Sequence, residues 1–317
     1  MPYTENEDAI AQSQLTKQET TKLDSIDALI EFFGENAKEV TFELDSKLAV
    51  AETTGKLVVN GEGNLNTEVV KANARFEDLP AIAANLFLPN TPGIRAGKLD
   101  GNLTAAIALT KTGELDQSAV NITGIASLQQ GEVVATDLPA PINNINSQLR
   151  FQGQQVKVED TDLQLNEIVL TAFGDVDWEA GYNLTAQIPS LSVADVQTLT
   201  DFDLPITADG TFQLITQLSG ELDQPQLRGR LENIDPVLID QLSLETITAE
   251  FDLNQSEFDL SNLLLRLQSG GIVTASGQAD ITDLNDPIIQ LPGQADLPAD
   301  SLAQTYGISL PQDIVLG

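Results

Sequence analysis

Apolar and polar residues alternate along most of this chain. The alternation is clearest in four long runs, at Thr41–Val50, Lys98–Leu109, Asn146–Leu165 and Thr246–Leu267. A period of two is typical of β-strands that have one apolar and one polar face. Turn-forming residues such as Gly153 separate the runs. The pattern therefore predicts successive antiparallel hairpins.

One stretch near the start of the chain has helical spacing. Leu23, Ile26, Ile30 and Phe33 recur at intervals of three or four residues, and Gly34 follows where a helix end is often capped. This spacing predicts an amphipathic helix. We expect the helix to cover the open end of the sheet, as repeat proteins require, and binding to a partner or a membrane surface is the alternative.

A unit of sequence recurs along the chain. The segment Ile145–Phe151 matches the segment Ile247–Leu253 at an offset of 247 − 145 = 102 positions, and the pentapeptide GELDQ begins at Gly113 and again at Gly220. Recurrence of whole segments with small insertions is typical of repeat architectures. Three related runs that favour a short helix begin at Leu79, Leu191 and Leu297.

The repeats predict how the chain is divided. The predicted parts are a disordered arm over residues 1–22, an amphipathic capping helix and linker over 23–40, a partial first repeat over 41–100, a second repeat over 101–209, and a third repeat over 210–317 that stops where a further unit is expected.

A sheet with one apolar face must bury that face against something. Few helical runs are available to cover it, and the strand runs of one unit supply too little chain for a closed sandwich with ordinary connections. We therefore predict an all-β fold in which an elongated, repeat-built antiparallel sheet curls on itself, with a few short helices, so that its apolar face becomes the inside of a tube or of an open trough.

Composition limits the partners and the kinds of catalytic or metal site that the chain can have. The net charge is −33, from 15 basic and 48 acidic residues, so nucleic acid is excluded as a partner on electrostatic grounds. The chain has no His and no Cys, which excludes Ser-His-Asp triads, His metal sites and disulfides. No apolar run approaches the roughly 20 residues of a membrane helix. We predict a protein that is not an enzyme and needs no cofactor or metal.

Carboxylate pairs are the remaining candidates for catalysis or weak calcium binding. Asp160 and Asp162, like Asp175 and Asp177, alternate on predicted strands and are expected to project the same way. Each pair lies on the polar face of its strand, so we interpret both as solvated surface. The acidic segment 280–286 lacks the spacing of a calcium loop and is interpreted as a turn.

The apolar stripe is the candidate functional site. Its members are Leu149, Phe151, Val156, Val158, Leu163 and Leu165 in one unit and Ala249, Phe251, Leu253, Phe258, Leu260, Leu265 and Leu267 in the next. Trp178 aligns with Ile281 of the next unit and is predicted to be core. The alternation fits two interpretations, a dry close-packed β core or a groove that holds acyl chains without specific polar contacts.

The segment Ile206–Asn233 resembles a known family. Its Gly210, Gly220, Pro225 and Gly229 punctuate alternating strands, and the pattern is similar to the repeats of the TamB (translocation and assembly module) and AsmA-like family, in particular the cyanobacterial-type members. The resemblance covers nearly the whole chain beyond about residue 40. The earlier copy departs from it, because Ser118 stands where the second copy has Pro225.

The resemblance implies that the curled sheet is a β-rich groove of the β-taco or solenoid kind, lined with aliphatic side chains, in a protein that is anchored in the inner membrane and reaches across the periplasm. It further implies roles in outer-membrane biogenesis, through phospholipid transport and through outer-membrane protein assembly and protein secretion with an Omp85-class barrel. The expected partners are phospholipid acyl chains, and the barrel by way of regions not in this chain, which we interpret as an internal fragment. A structural or adhesin-like stalk with a solid core is the alternative.

Overall fold

In a computed structural model, the chain forms one antiparallel sheet of 19 strands with short helical segments. The structure describes residues 22–33, 39–50, 53–64, 66–86, 93–109, 115–134, 140–200, 207–282, 288–298, 303 and 305–307. The predicted all-β curled sheet is confirmed.

The strands and helices have the following bounds. They are β1 Lys22–Phe33, β2 Glu39–Val50, β3 Thr53–Asn64, β4 Val69–Pro80, a 3-10 helix Ala81–Leu86, β5 Gly93–Leu109, β6 Leu115–Val134, β7 Ile142–Gly153, β8 Gln155–Leu165, β9 Ile168–Asp177, β10 Gly181–Ser192, α1 Val193–Thr200, β11 Ala208–Asp209, β12 Thr211–Gly220, β13 Gln226–Asn233, β14 Val237–Ile239, β15 Leu242–Leu253, β16 Glu257–Leu267, β17 Ile272–Asp280, β18 Ile288–Gln290 and β19 Gly293–Asp296.

Nearly every strand pairs with the next strand in the chain. From β1 to β10 the pairing is strictly sequential, β10 then pairs with β12, and β13 pairs with β15, while the short β11 and β14 pair with each other. At the far end of the sheet, the short strands β18 and β19 both pair with β17. Among the described strands β1 pairs only with β2, so the curled sheet stays open.

Alternation separates two faces of the sheet, as β4 illustrates. Ala72, Ala74 and Phe76 are buried or half-buried, whereas Asn73 and Arg75 between them are exposed. We call the face that carries Phe76 the inner face and the opposite face the outer face. The separation follows from the period of two in the sequence.

β-Bulges interrupt the regular pairing of several strands. In four strand pairs the register shifts where a non-glycine residue has positive φ, at Asp78, Gln130, Asn144 and Asp160. Asn and Asp tolerate this left-handed conformation better than most residues. A bulge inserts an extra residue and increases the local twist, and this supports the curl of a long sheet.

The buried side chains form two clusters on the inner face. One contains Leu48, Phe76, Leu79, Ala83 and Ala126, so the 3-10 helix packs against strands β2 to β6. The other contains Val237, Leu244, Ile247 and Leu267. The helices lie where the sequence predicts short helical runs after Leu79 and Leu191.

The predicted amphipathic helix near the start is wrong, because residues Lys22–Phe33 form β1. The strand pairs with β2 along its whole length, from Lys22 opposite Ala49 to Phe33 opposite Glu39. The segment also has apolar residues at positions 26, 28, 30 and 32, a period of two, and Ile and Phe suit strands. Without this pairing, the backbone groups along that edge of β2 would lack their strand partner.

The predicted disordered arm falls on residues 1–21, which lie outside the described residues, and on Lys22, which begins β1. The end of the third repeat, residues 308–317, also lies outside them. The predicted boundaries of the repeats stay a prediction.

Candidate functional site

The pairing registers join apolar residues and glycines of successive strands into one continuous row on the inner face. Each member is the direct cross-strand partner of the next: Leu57, Phe76, Gly101, Ala126, Leu149, Val158, Gly174, Leu184, Leu218, Leu227, Leu253, Phe258 and Ala279. Neighbouring strands lie about 4.8 Å apart, so the row spans on the order of 60 Å along the sheet.

The two units place the predicted stripe in the same register. Leu149 pairs with Val158, and 102 positions later Phe251 pairs with Leu260. In both units a bulge follows immediately, after Val158 in β8 and after Leu260 in β16. The offset seen in the sequence is thus an offset between equivalent hairpins.

The bulges keep both halves of the stripe on one face. In β8 the inner positions are even before Asp160 and odd after it, because the bulge at this residue shifts the alternation by one. Thr161 is buried, and Leu163 and Leu165 follow it at alternate positions. β16 repeats the arrangement, with its later inner positions ending at the buried Leu267. All thirteen predicted residues therefore lie on the inner face.

Most of the stripe is only partly covered. Val156, Leu260 and Leu267 are buried. The others are half-buried, namely Leu149, Phe151, Val158, Leu163, Leu165, Ala249, Phe251, Leu253, Phe258 and Leu265. A close-packed core would bury Leu and Phe almost completely. The stripe is thus partly exposed to solvent and is not a fully packed core.

Aromatic rings on the inner face lie over glycines of the neighbouring strand. Phe251 occupies the space that a side chain at Gly229 would need, and Phe42 does the same at Gly61. Phe251 also stacks on Phe258 with ring centroids 5.5 Å apart. The glycines thus leave room for aromatic rings of the neighbouring strand on the inner face.

The few polar side chains buried on the inner face are satisfied. The hydroxyl groups of Ser147 and Thr161 lie 2.6 Å apart and share a hydrogen bond. Ser46 donates to the carbonyl of Leu57 at 3.4 Å. Among the described residues no buried side-chain nitrogen or oxygen atom lacks a partner.

Charged side chains of the same strands form ion pairs across the outer face. Arg228 contacts Asp252 at 2.7 Å, and Arg150 contacts Glu159 at 3.3 Å. Hydrogen bonding from Arg150 lowers the pKa of Glu159, with a smaller effect of Lys157. Such exposed pairs typically contribute only about 0–1 kcal/mol each to stability.

The carboxylates of the two predicted pairs are exposed or accept hydrogen bonds from nearby residues. Asp160 lies in the β8 bulge with φ 44°, so it does not alternate regularly with Asp162, and both are exposed. Asp175 accepts a hydrogen bond from Gln155 at 3.2 Å. Asp177 accepts the backbone N–H groups of residues 179 and 180 at 2.8 Å each, and these bonds lower its pKa.

The acidic segment at the end of β17 is described only in part. The Asp280 carboxylate accepts the backbone N–H of Thr282 at 3.0 Å, and residues 283–287 lie outside the described residues. In the part of the chain that the structure describes, no group of three or more Asp or Glu residues is placed to hold a metal ion.

The prediction that Trp178 is core is wrong, because its side chain is 54% exposed. The residue follows β9 and lies in the turn to β10, at the rim of the inner face. Alternation continues the inner face up to this position, but a turn residue has no strand on its far side to cover it. Periodicity alone does not show that Trp178 lies in a turn at the rim, and this location explains its exposure.

None of the described helices is long and apolar enough to cross a membrane. Comparison with family models, with characterised proteins and with solved structures finds no match to this chain. A functional assignment therefore rests on the geometry of the inner face and on the sequence.

Proposed function

We propose that this chain is a non-catalytic segment that conducts phospholipids along its inner face. The acyl chains lie against the stripe, and the head groups stay in water at the open side of the curled sheet. The observation that carries the proposal is the continuous row of apolar residues and glycines, most of whose larger members are half-buried.

The energetics suit passive movement. Burying one CH₂ group contributes about 0.8 kcal/mol and needs no specific polar partner. Because the row repeats the same kind of surface from strand to strand, a chain loses and gains similar contacts as it advances by one strand spacing. A surface of this kind holds a lipid without trapping it at one position.

The biological setting is part of the same proposal. We place the segment in the periplasm, in a TamB-like protein of outer-membrane biogenesis that works with an Omp85-class barrel and supports outer-membrane protein assembly. The punctuation of the strands by Gly210, Gly220, Pro225 and Gly229 supports this setting through the family resemblance. The net charge of −33 disfavours nucleic acid as an alternative partner.

The first test is native mass spectrometry with lipid extraction on the chain purified from a bacterial periplasm. Leu165→Glu puts a charge on the inner face, and Val169→Glu puts the same charge on β9 at a residue that is 55% exposed. Co-purifying phospholipid that is lowered by Leu165→Glu and unchanged by Val169→Glu supports the conduit. Phe258→Asp is expected to act like Leu165→Glu.

A clean, lipid-free protein of normal stability would overturn the conduit. The structural stalk with a filled interior would then replace it. In the full-length protein, unchanged lipid transfer by Leu165→Glu or Phe258→Asp would also contradict the proposal.

A further inference from the structure

A small pocket opens at the rim of the inner face. It lies between the turn that joins β7 to β8 and the turn that joins β9 to β10, and has a volume of about 200 Å³. Its walls include Ile122, Phe151, Val156, Trp178 and Glu179. We call this the rim pocket.

The rim pocket is continuous with the stripe. Phe151 and Val156 are direct cross-strand partners and belong to the stripe, and Val156 is buried at 8% exposure. The next pair along these strands, Leu149 and Val158, belongs to the long row on the inner face. An apolar group in the rim pocket therefore touches the end of the surface on which the proposed conduit is built.

The indole of Trp178 is not needed to form the turn. The backbone N–H of Trp178 donates to the carbonyl of Gln154 at 3.2 Å, and in the next unit Ile281 makes the same bond to Ser256 at 2.9 Å. An aliphatic residue therefore serves this turn equally well. The large exposed ring beside an apolar pocket is instead typical of a binding position at a boundary between water and an apolar phase.

The volume selects the kind of ligand. A dry apolar cavity of about 150 Å³ admits benzene, and pockets for drug-sized ligands have volumes of about 300–1,000 Å³. At about 200 Å³ the rim pocket fits a segment of one alkyl chain. It is too small for a whole lipid.

The acidic side chain at the mouth of the pocket bears on the head group. Glu179 lines the pocket and is exposed, so its negative charge lies where the pocket opens to water. The basic residues of β7 and β8, Arg150 and Lys157, contact Glu159 on the outer face instead. An amine-bearing head group is favoured here over an anionic one.

We propose that the rim pocket is a lateral binding point where one alkyl chain of an amphiphile with an amine-bearing head group meets the inner face, with its chain against Trp178. The inference rests on the proposed conduit and adds the position at which a lipid chain meets the inner face and the kind of head group that it carries. Trp178 is a positioning residue that holds the chain at the rim.

The chain contains a single Trp, so its fluorescence reports on the rim pocket alone. The test titrates the intact chain with lysophosphatidylethanolamine that carries a dibrominated stearoyl chain, below its micelle concentration, because bromine quenches indole on contact. We expect saturable quenching, with a several-fold lower Kd than for the matching brominated lysophosphatidylglycerol. Ile122→Glu should abolish the quenching, and Glu179→Gln should narrow the difference between the two probes.

The control moves the Trp to the outer face, in Trp178→Phe combined with Val169→Trp. Quenching of this variant as strong as that of the wild type would show general adsorption and overturn the inference. Equal Kd values for the two probes would overturn the head-group assignment. Circular dichroism of Ile122→Glu shows whether this variant keeps its sheet. If the sheet is lost, Trp178→Phe serves as a second variant, and its lipid binding is measured by competition with a fluorescent lipid.

Lipid extraction from the same preparation separates the two proposals. Co-purifying lipid without quenching of Trp178 would overturn the rim pocket and leave the conduit standing. Absence of both would overturn the conduit and the rim pocket together.

Discussion

Glycine positions shape the inner face at the level of single residues. A Cβ atom added at Gly229 would overlap the ring of Phe251, whereas one added at Gly93 would meet nothing closer than the carbonyl oxygen of Val134 at 3.7 Å. The two glycines therefore differ in the room that a side chain would have. Gly229 makes room for a ring, whereas a methyl group at Gly93 would make only an ordinary van der Waals contact.

Gly229→Ala is expected to destabilise the protein by about 1–3 kcal/mol, because the new methyl group displaces the Phe251 ring. Gly93→Ala is the matched control and should change the free energy of unfolding by no more than about 0.5 kcal/mol. Urea unfolding followed by circular dichroism measures both. The double variant Gly229→Ala with Phe251→Leu should be more stable than additivity predicts, since the smaller side chain relieves the overlap. Equal stability of the two glycine variants would contradict this account.

At the level of elements, α1 shows how a local signal sets a boundary. Ser192 precedes the helix, its hydroxyl accepts the N–H of Asp195 at 3.0 Å, and the Asp195 carboxylate accepts the N–H of Ser192 at 2.9 Å. This is a reciprocal capping box, and it satisfies two backbone donors at the start of the helix. It ends β10 and begins α1 within one residue.

Ser192→Ala should lower the free energy of unfolding by about 1 kcal/mol at neutral pH, because a helix-capping oxygen is lost. Thermal unfolding measures this change. Thr198→Ala, at an exposed position later in the same helix, is the control. A loss in the control as large as that in Ser192→Ala would indicate general sensitivity of the helix instead of capping.

The capping box also predicts a pH dependence. Hydrogen bonding by Ser192, through its side chain and then its backbone N–H, lowers the pKa of Asp195 below its ordinary value of 3.8. A lowered pKa in the folded state stabilises the fold above pH 3.8, and this stabilisation is lost as the pH falls through the lowered value. Asp195→Asn should therefore have a lower Tm than the wild type at neutral pH, and the gap should close in strong acid. A gap that is constant with pH would contradict this.

At the level of the whole molecule, the pairing is almost entirely between consecutive strands. A sheet built this way is stabilised by interactions between neighbours, and the strands at its ends have only one such neighbour. Among the described strands β1 pairs only with β2, and Leu29 and Ile30 on it are exposed. The short β18 carries Ile288 and Ile289, which are more than 60% exposed.

Hydrogen exchange should reflect this arrangement. We expect the amides of β5 to β8 to exchange slowest and those of β1, β18 and β19 to exchange fastest, because end strands open without breaking the rest of the sheet. Exchange followed by mass spectrometry resolves the strands. Equal protection from β1 to β19 would instead mean that the sheet opens as one cooperative unit.

The sequence by itself determined the features that depend on the local period of apolar and polar residues. The four alternating runs identified the strands β2, β5, β7, β8, β15 and β16 and the all-β class, and the offset of 102 positions matched hairpins that have the same register. Alternation also assigned the members of each half of the stripe to a common face, since side chains two apart on a strand point the same way. The bulges after Val158 and Leu260, which the structure shows, bring the two halves onto the same face. Over residues 22–33 the helical spacing predicted the wrong element, because pairing with the edge of β2 makes this segment a strand.

Only the tertiary structure decided how far the inner face is covered. Leu149 and Phe258 would have the same alternation in a filled core as in an open groove, but curvature and the bulges leave them half-buried. The exposure of Trp178 and the rim pocket beside it depend on which turns meet in space. Periodicity records which face a residue points to, and the shape of the sheet determines what lies opposite that face.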